Sequence, residues 1–251
     1  MGGSDNKGFV DKVLGDLFHP GGLNLTRELA ELVGITEEEE VLDIACMEGD
    51  RAIFLTEEFG CKVYGVDLST EKIKEATKKA RKKKLLKRLF FKNADANDLT
   101  SAFQDEMFDV VLCELTICLF PNRLRVLREA HRVLKEKGRI IFSGVINRKI
   151  TPEIKERFSE MTCLFQAPTL KEFKKLFEDA GFRNVEVLDR TDIADLEYKK
   201  LREKWRKLRF FSKIFLKNTT VDSESFLSLI REGEELIRQR KVGYAIVYGK
   251  K

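Results

Sequence analysis

The stretch VLDIACMEGD, Val41–Asp50, decides the fold that this sequence predicts. Its first half is apolar except for Asp43, which is typical of a strand buried on both faces of a parallel sheet. Its second half contains a glycine, Gly49, at the point where a helix should begin. A strand that leads through such a turn into a helix places the turn at the carboxyl end of the sheet, where open α/β sheets bind ligands.

Strand-like and helix-like segments alternate on both sides of this stretch. A preceding helix should end at Gly34, a second strand ends at Asp67, and Ser69 then caps a helix whose basic run continues to Arg88. Five alternations predict an α/β, Rossmann-like, doubly wound sheet. The remaining predicted elements of this part are strands over 89–93, 108–115 and 139–145 and a helix from about 122 to 135.

The carboxyl-terminal part departs from the alternation. Thr169 and Glu172 have the spacing of a capping box at the start of a helix that Gly181 should end. Two stretches with strand-like alternation, 184–188 and 242–249, predict two more strands. We therefore expect seven strands with the last pair antiparallel, and helical insertions after strands five and six.

These elements predict the organisation of the chain. We expect an amino-terminal helical segment over residues 1–35 and one domain over residues 36–251. Two insertions, 148–167 and 191–240, should emerge near the carboxyl ends of the strands and form a substrate lid. Aromatic and basic residues around Trp205 favour that lid, with a dimer contact or a membrane-surface helix as alternatives.

Composition limits the possible functions. The five cysteines lack paired spacing, which argues against a disulfide framework or a zinc site and predicts reduced thiols in the cytoplasm. The sequence contains no run of about 18 apolar residues, so it predicts no membrane span. The net charge of +5 sets 47 basic against 42 acidic residues, a small excess for a nucleic-acid binder. We expect no metal ion and no nucleic-acid partner; a monomer and a homodimer both remain open.

Two positions indicate a nucleoside site. Gly49 precedes a helix whose free N–H groups and positive dipole end favour an anion or carboxylate. Asp67 follows it by 18 residues at the end of the second strand, where an acidic side chain can accept hydrogen bonds from both ribose hydroxyls. Together they predict an adenosine-containing ligand at this edge of the sheet.

The order of four segments carries a family resemblance over residues 36–190. VLDIACMEG, VYGVDLS, NADANDL and FDVVLCEL, the last followed by LREAHRVLKEKGRIIFSG, resemble the motifs of class I S-adenosylmethionine-dependent methyltransferases. HPGGLNLT, CELTICLFPNR and CLFQAPTLKEFKKLFEDAGF are further similar to a small-molecule branch that includes arsenite methyltransferase-like proteins. The resemblance implies S-adenosyl-L-methionine as cofactor and a small-molecule acceptor that is methylated by in-line transfer.

The resemblance also implies which residues contact the cofactor. Asp67 would hold the ribose, Leu68 would stack on the adenine, and Asp95 with Ala96 would contact the edge of the ring; Asp98 competes with Asp95. The implied contacts to the methionine part and the sulfonium are Asp43, Ala45, Cys46, Met47, Gly49, Glu114 and Leu115.

Two positions depart from the family pattern, which has glycine where this chain has Ala45 and Met47. We expect that alanine needs only negative φ at its position. Met47 brings a large side chain to a place where the backbone usually approaches the ligand. The departure therefore bears on cofactor affinity more than on the fold.

Three residues are candidates for a catalytic role: His19, Glu114 and Cys163. Methyl transfer mainly requires alignment in a water-poor pocket, so a base is optional, although a hydroxyl acceptor would need help from His19 or Glu114. Cys163 could bind a soft acceptor such as trivalent arsenic if another thiol lies within reach. Its alternative interpretation is a small buried apolar residue.

Three other functions remain open from the sequence. An RNA methyltransferase would use the basic helix surface, but no RNA-binding module or base-clamping motif follows the fourth strand. A binding or scaffold protein would result if the altered turn had lost the cofactor. A non-catalytic S-adenosylmethionine-binding protein is the remaining alternative.

Overall fold

The computed structural model describes residues 21–157, 166–193, 195–196, 199–200, 203 and 223–251. Its strands are β1 Glu40–Ile44, β2 Lys62–Asp67, β3 Leu89–Asn93, β4 Phe108–Glu114, β5 Leu134–Asn147, β6 Arg183–Asp189 and β7 Val242–Lys250. Its helices are α1 Gly22–Val33, α2 Asp50–Phe59, α3 Thr70–Lys82, α4 Arg123–Val133, α5 Pro152–Arg157, α6 Leu170–Asp179 and α7 Ser223–Arg238, with a 3₁₀ turn at Ile117–Leu119.

The seven strands form one sheet in the order β3-β2-β1-β4-β5-β7-β6. Strands β1 to β5 pair in parallel, whereas β7 runs antiparallel to both β5 and β6. The predicted doubly wound sheet with an antiparallel last pair is therefore confirmed. The strand order reverses between β1 and β4, which places the ligand-binding crevice of such a sheet at their carboxyl ends.

Apolar side chains cover both faces of the sheet. Val41 of β1 packs on one face, in a cluster with Leu25 and Leu29 of α1, whereas Leu42 and Ile44 point to the other. That second face is covered by α4 and α6. β1 begins at the partly exposed Glu40 and is buried from Val41 onwards, so its other residues are apolar except for the buried Asp43.

Three predicted helix signals are confirmed. Gly34 ends α1 in the left-handed conformation, with φ 65°. The Ser69 side chain accepts a hydrogen bond from the Lys72 N–H at 3.3 Å and so caps α3. Thr169 and Glu172 form a capping box at the start of α6.

Two predicted helix ends were wrong. Helix α3 ends at Lys82 rather than Arg88, because Lys84 turns to φ 61° and Leu85 packs back against the core. Helix α4 ends at Val133 rather than near residue 135, because Leu134 already pairs with Phe108 as the first residue of β5. In both cases an apolar side chain leaves the helix to be buried against the sheet.

The predicted insertions are described in part. They contain α5 and α7, whereas residues 158–165 and most of 194–222 lie outside the described part of the chain. Their role as a lid therefore remains a prediction. Within the described ranges, no helix is both long and apolar enough to cross a membrane.

Candidate functional site

The turn between β1 and α2 lies at the crevice and has an unusual backbone. Ala45 has φ 56°, Met47 has φ 51° and Gly49 has φ 78°, so all three adopt the left-handed conformation. The expectation of negative φ at Ala45 was wrong. Alanine and methionine here adopt the conformation that glycine reaches without steric cost, since the surrounding structure determines the path of the turn.

Hydrogen bonds from neighbouring segments fix this turn. The Cys46 N–H donates to the Val66 carbonyl at 2.9 Å, and the Gly49 N–H donates to the Cys46 carbonyl at 3.0 Å. The Met47 N–H donates to Asp67 Oδ2 at 3.0 Å. The turn is thus tied to β2, the strand that ends in the predicted ribose-binding residue.

The Asp67 carboxylate keeps acceptor capacity beyond its two backbone hydrogen bonds. Its Oδ1 accepts the Ser69 N–H at 2.9 Å and its Oδ2 accepts the Met47 N–H. A carboxylate offers about four acceptor sites, so two backbone donors leave capacity for two hydroxyl groups. The Asn93 side-chain amide, which the sequence analysis missed, donates to the Asp67 and Leu68 carbonyls at 2.9 and 2.8 Å and holds this loop in place.

Apolar side chains beside Asp67 provide a surface for a ring. Leu68 is 69% exposed and Met47 is 39% exposed, whereas Ala96 is buried. Exposed leucine next to a carboxylate matches an adenosyl group, whose apolar ring adjoins hydroxyls. The turn, Asp67 and Leu68 therefore fit S-adenosylmethionine.

The two candidate adenine carboxylates lie on the loop after β3. Asp95 Oδ1 accepts the Asn97 N–H at 2.8 Å, and Asp98 accepts both the N–H and the hydroxyl of Thr100. These bonds from Thr100 lower the pKa of Asp98. Both side chains are exposed, and their role in adenine recognition remains a prediction.

A buried charge network lies directly below the turn. Arg51 Nη2 donates to Asp43 Oδ1 at 3.0 Å and to the Ala45 carbonyl at 2.7 Å. Glu114, at the end of β4, accepts a hydrogen bond from the Thr26 hydroxyl at 2.9 Å. The predicted residues Asp43 and Glu114 are thus linked to β1, β4 and α1 within the core rather than exposed at the crevice.

The sequence analysis missed Arg51 and Thr26. One signal was available for the arginine: a cation in the first turn of a helix faces the positive end of the dipole, so it indicates a compensating carboxylate. Burial lowers the pKa of Arg51, but the charges of Asp43 and Glu114 outweigh burial and raise it above its ordinary value. Arg51 therefore remains charged in the core.

A second set of polar groups lies beside Glu114. The fully buried Tyr244 hydroxyl donates to Ser143 Oγ at 2.7 Å. Burial, followed by the charge of Glu114, raises the pKa of Tyr244 well above its ordinary value, so the phenol stays neutral. Leu115, at the same edge, has φ 66° and donates its N–H to the Ser143 carbonyl at 2.8 Å.

Three of the described cysteines, Cys46, Cys61 and Cys113, are protonated thiols. Cys46, Cys61, Cys113 and Cys118 are buried and form no disulfide with one another. Burial raises the pKa of Cys61 and of Cys113 to about 12, and it raises the pKa of Cys46 further. Among the described residues no group of three or more His, Cys, Asp or Glu could hold a metal ion.

Two predicted catalytic residues, His19 and Cys163, lie outside the described residues. Whether Cys163 meets another thiol remains a prediction. The pKa shifts nevertheless limit the soft-acceptor hypothesis, because soft metalloids bind thiolates, and burial disfavours the thiolate form of Cys46, Cys61 and Cys113.

These pKa shifts predict a slow thiol reaction in the native protein. At pH 7.5 we expect a disulfide reagent such as Ellman's to titrate no more than one thiol, Cys163, on a timescale of minutes. In denaturant it should titrate all five cysteines. Rapid reaction of Cys113 in the native state, identified by peptide mass spectrometry, would show that its burial is wrong.

The left-handed turn predicts that glycine stabilises this protein. The conformation costs a non-glycine residue about 1–2 kcal/mol, whereas the added freedom of the unfolded chain costs about 0.4–1 kcal/mol. Ala45→Gly and Met47→Gly should each raise the free energy of unfolding by about 0.5–1 kcal/mol, with cofactor affinity unchanged or tighter. Urea denaturation measures the gain.

The matched control is Ala94→Gly, since Ala94 lies in a loop beside the same site and lacks positive φ. It should lose about 0.4–1 kcal/mol. Equal losses at Ala45 and Ala94 would contradict the left-handed assignment. Loss of cofactor binding in Met47→Gly would mean that the methionine side chain itself builds the pocket.

The basic helix α3 has a mixed-charge surface. Lysines on α3 and at its end pair with carboxylates on α2, on the turn and on α3 itself, which reduces the positive charge near the crevice. The ion pairs are Lys78 with Glu75, Lys79 with Glu48 and Asp50, and Lys83 with Glu57. These carboxylates offset part of the positive charge that a nucleic-acid-binding surface would need.

Comparison with known proteins adds an independent finding. A family model described as a methyltransferase domain matches residues 35–181, more than half of the chain. An uncharacterized protein of Haemophilus influenzae is 31% identical over 174 residues, covering 67% of this chain and 68% of its own. Phosphoethanolamine N-methyltransferase 1 of Arabidopsis thaliana is 29% identical over 185 residues, which are 72% of this chain and 36% of the plant enzyme.

A solved structure shows the same fold. It is phosphoethanolamine N-methyltransferase 2 of Haemonchus contortus with phosphomonomethylethanolamine and S-adenosylhomocysteine. It superposes with a TM-score of 0.81 at 20% identity and covers 96% of this chain and 56% of its own. This chain thus spans about half of that enzyme and about a third of the plant relative.

Proposed function

We propose, since this chain belongs to the methyltransferase-domain family, that it transfers a methyl group from S-adenosylmethionine to a small-molecule acceptor. One observation carries the proposal: the Asp67 carboxylate, at the end of β2, lies beside the exposed Leu68 and beside the left-handed turn that follows β1 at the switch point of the sheet. That arrangement provides hydroxyl acceptors and an apolar surface together, as an adenosyl group requires.

In this proposal each part of the crevice binds one part of the cofactor. Asp67 binds the ribose, Leu68 packs on the adenine, and Asp95 with Ala96 contacts the edge of the ring. The Ala45–Gly49 turn faces the methionine part. Bound there, S-adenosylmethionine supplies an electrophilic methyl group on a sulfonium.

The protein then mainly has to orient the acceptor and exclude water. Alignment of the reacting atoms can supply several of the roughly 8–23 kcal/mol that enzymes remove from barriers. Glu114 is held by Thr26 and faces Arg51, which gives it a positioning role at the end of β4. Glu114→Gln and His19→Gln test whether either residue acts as a base. If one of them does, the decrease in rate at low pH should disappear from the pH–rate profile of its variant.

The acceptor side of the site is assigned to the insertions. Residues 148–167 and 191–240 follow strands whose carboxyl ends lie at the crevice, and a lid from them would keep water away from the methyl group. The four described cysteines are buried and form no disulfide with one another, which supports a reducing cytoplasmic location. A monomer or a homodimer is compatible with this arrangement.

Methyl-transfer assays test the proposal. The protein is incubated with methyl-labelled S-adenosylmethionine and four acceptor classes: phosphoethanolamine as an amine, a thiol, a hydroxyl compound and trivalent arsenic. Bulk RNA at physiological salt is the macromolecular comparison. We expect labelled product and S-adenosylhomocysteine with at least one small molecule, and none with RNA.

Two results would contradict the proposal. Label in RNA at physiological salt would favour the RNA methyltransferase. Its RNA binding should also weaken steeply as the salt concentration rises, because the release of counterions from the phosphates becomes less favourable. Tight cofactor binding without transfer to any acceptor class would favour a non-catalytic cofactor-binding protein. The mixed-charge surface of α3 supports the small-molecule alternative.

A further inference from the structure

Arg51 is a charged residue in an unfavourable place. It lies in the first turn of α2, where a cation meets the positive end of the helix dipole, and it is only 5% exposed. A guanidinium is placed there only if specific contacts compensate for its burial. Its contacts therefore indicate what it does.

Those contacts connect the core with the crevice. One nitrogen, Nη2, donates both to Asp43 Oδ1 at 3.0 Å and to the Ala45 carbonyl at 2.7 Å. The first contact compensates the charge. The second fixes the peptide plane that joins Ala45 to Cys46, the first plane of the turn.

That plane determines where the rest of the turn points. The Ala45 carbonyl points into the core and accepts from Arg51. Two residues later, the Met47 N–H points to the crevice side and donates to Asp67 at 3.0 Å. Ala45 and Met47 are both left-handed, which non-glycine residues avoid unless held. The Arg51 contact is one of the bonds that can hold them.

We propose that Arg51 is a positioning residue for the cofactor: its guanidinium holds the Ala45–Gly49 turn in the left-handed conformation that glycine would adopt without help. Without this contact the turn relaxes, the Met47 N–H leaves Asp67, and the cofactor loses a preformed surface. The affinity part of this inference rests on the proposed function, whereas the backbone part does not.

A simpler role for Arg51 would be to neutralise Asp43 in the core. The two roles differ in their response to glycine at position 45. If Arg51 holds the turn, Ala45→Gly should compensate for its loss, because glycine populates the left-handed region readily. If Arg51 only neutralises Asp43, glycine at position 45 cannot compensate.

The test is a double-mutant cycle on the full chain. Wild type, Ala45→Gly, Arg51→Met and the double variant are compared, with circular dichroism to verify folding. Arg51→Lys is included in case the Met variant does not fold, because lysine keeps a positive charge beside Asp43. The control is Arg139→Met, which breaks a partly buried ion pair with Glu39 on the opposite edge of the sheet.

Two readouts are taken. Calorimetry gives the dissociation constant for S-adenosylhomocysteine, and hydrogen exchange gives the protection of the Met47 amide without ligand. For Arg51→Met we expect the affinity and the protection each to fall about tenfold, because Ala45 is no longer held and leaves the left-handed region. Arg51→Lys should fall less, and Ala45→Gly should restore either variant to within about threefold. Arg139→Met should match wild type in both.

The outcomes separate the inference from the proposed function. The positioning role would be overturned if Arg51→Lys kept the affinity and the Met47 protection of wild type. It would also be overturned if Ala45→Gly restored neither, even though wild type binds the ligand. If wild type binds no S-adenosylhomocysteine, the proposed function fails, and hydrogen exchange alone decides whether Arg51 holds the turn.

Discussion

Asp43→Ala is expected to lower the free energy of unfolding by about 3–5 kcal/mol, because it leaves the buried Arg51 guanidinium without its closest carboxylate. Asp43 is fully buried and lies 3.0 Å from Arg51 Nη2. Burial of an uncompensated charge is among the few causes of so large a loss from one substitution. Urea denaturation followed by circular dichroism measures the change.

A remote aspartate provides the control. Asp109 accepts the Glu40 N–H at 2.9 Å and pairs with Lys135 at 2.8 Å. Unlike Asp43, it is partly exposed, at the amino-terminal end of β4. Asp109→Ala should lose only about 1 kcal/mol. Asp43→Ala/Arg51→Met should recover only part of the Asp43→Ala loss: it removes the uncompensated guanidinium, but the buried Glu114 then lacks its neighbouring cation. Equal losses at Asp43 and Asp109 would contradict a buried ion pair.

Asp67→Ala is expected to weaken S-adenosylmethionine binding by about 2–3 kcal/mol, or about 30- to 150-fold, because it removes two charge-assisted hydrogen bonds to ribose. It also removes the acceptor of the Met47 N–H. Titration calorimetry on folded protein measures both affinities, and Asp109→Ala should bind like wild type. Equal affinity in Asp67→Ala and wild type would exclude this ribose assignment.

The sheet could be predicted from sequence because burial on both faces leaves a strong local pattern. β1 is apolar at Val41, Leu42 and Ile44, and the strand-to-helix alternation around it permits few other arrangements. Asp67 could also be proposed from the sequence, since its proposed role depends on its position at the end of a strand. Both depend on information within a few residues of each position.

The details of the turn could not be predicted in the same way. The left-handed φ of Ala45 and Met47 depends on Val66, Asp67 and Arg51, which reach the turn only after the chain has folded. A rule based on residue type therefore assigned alanine a negative φ and missed that the glycine path is retained.

The network under the turn was missed for a similar reason. Thr26, Arg51 and Glu114 belong to α1, α2 and β4, and 88 residues separate the hydrogen-bonded Thr26 and Glu114. No local pattern relates such positions. The helix ends at Lys82 and Val133 likewise depend on where the next apolar side chain is buried.

A crystal structure with S-adenosylhomocysteine tests the central claim most directly. The account predicts both ribose hydroxyls about 2.6–3.2 Å from the Asp67 carboxylate, the adenine against Leu68, and Ala45 and Met47 still left-handed. An adenosyl group bound elsewhere, with Asp67 making no contact to it, would contradict the account.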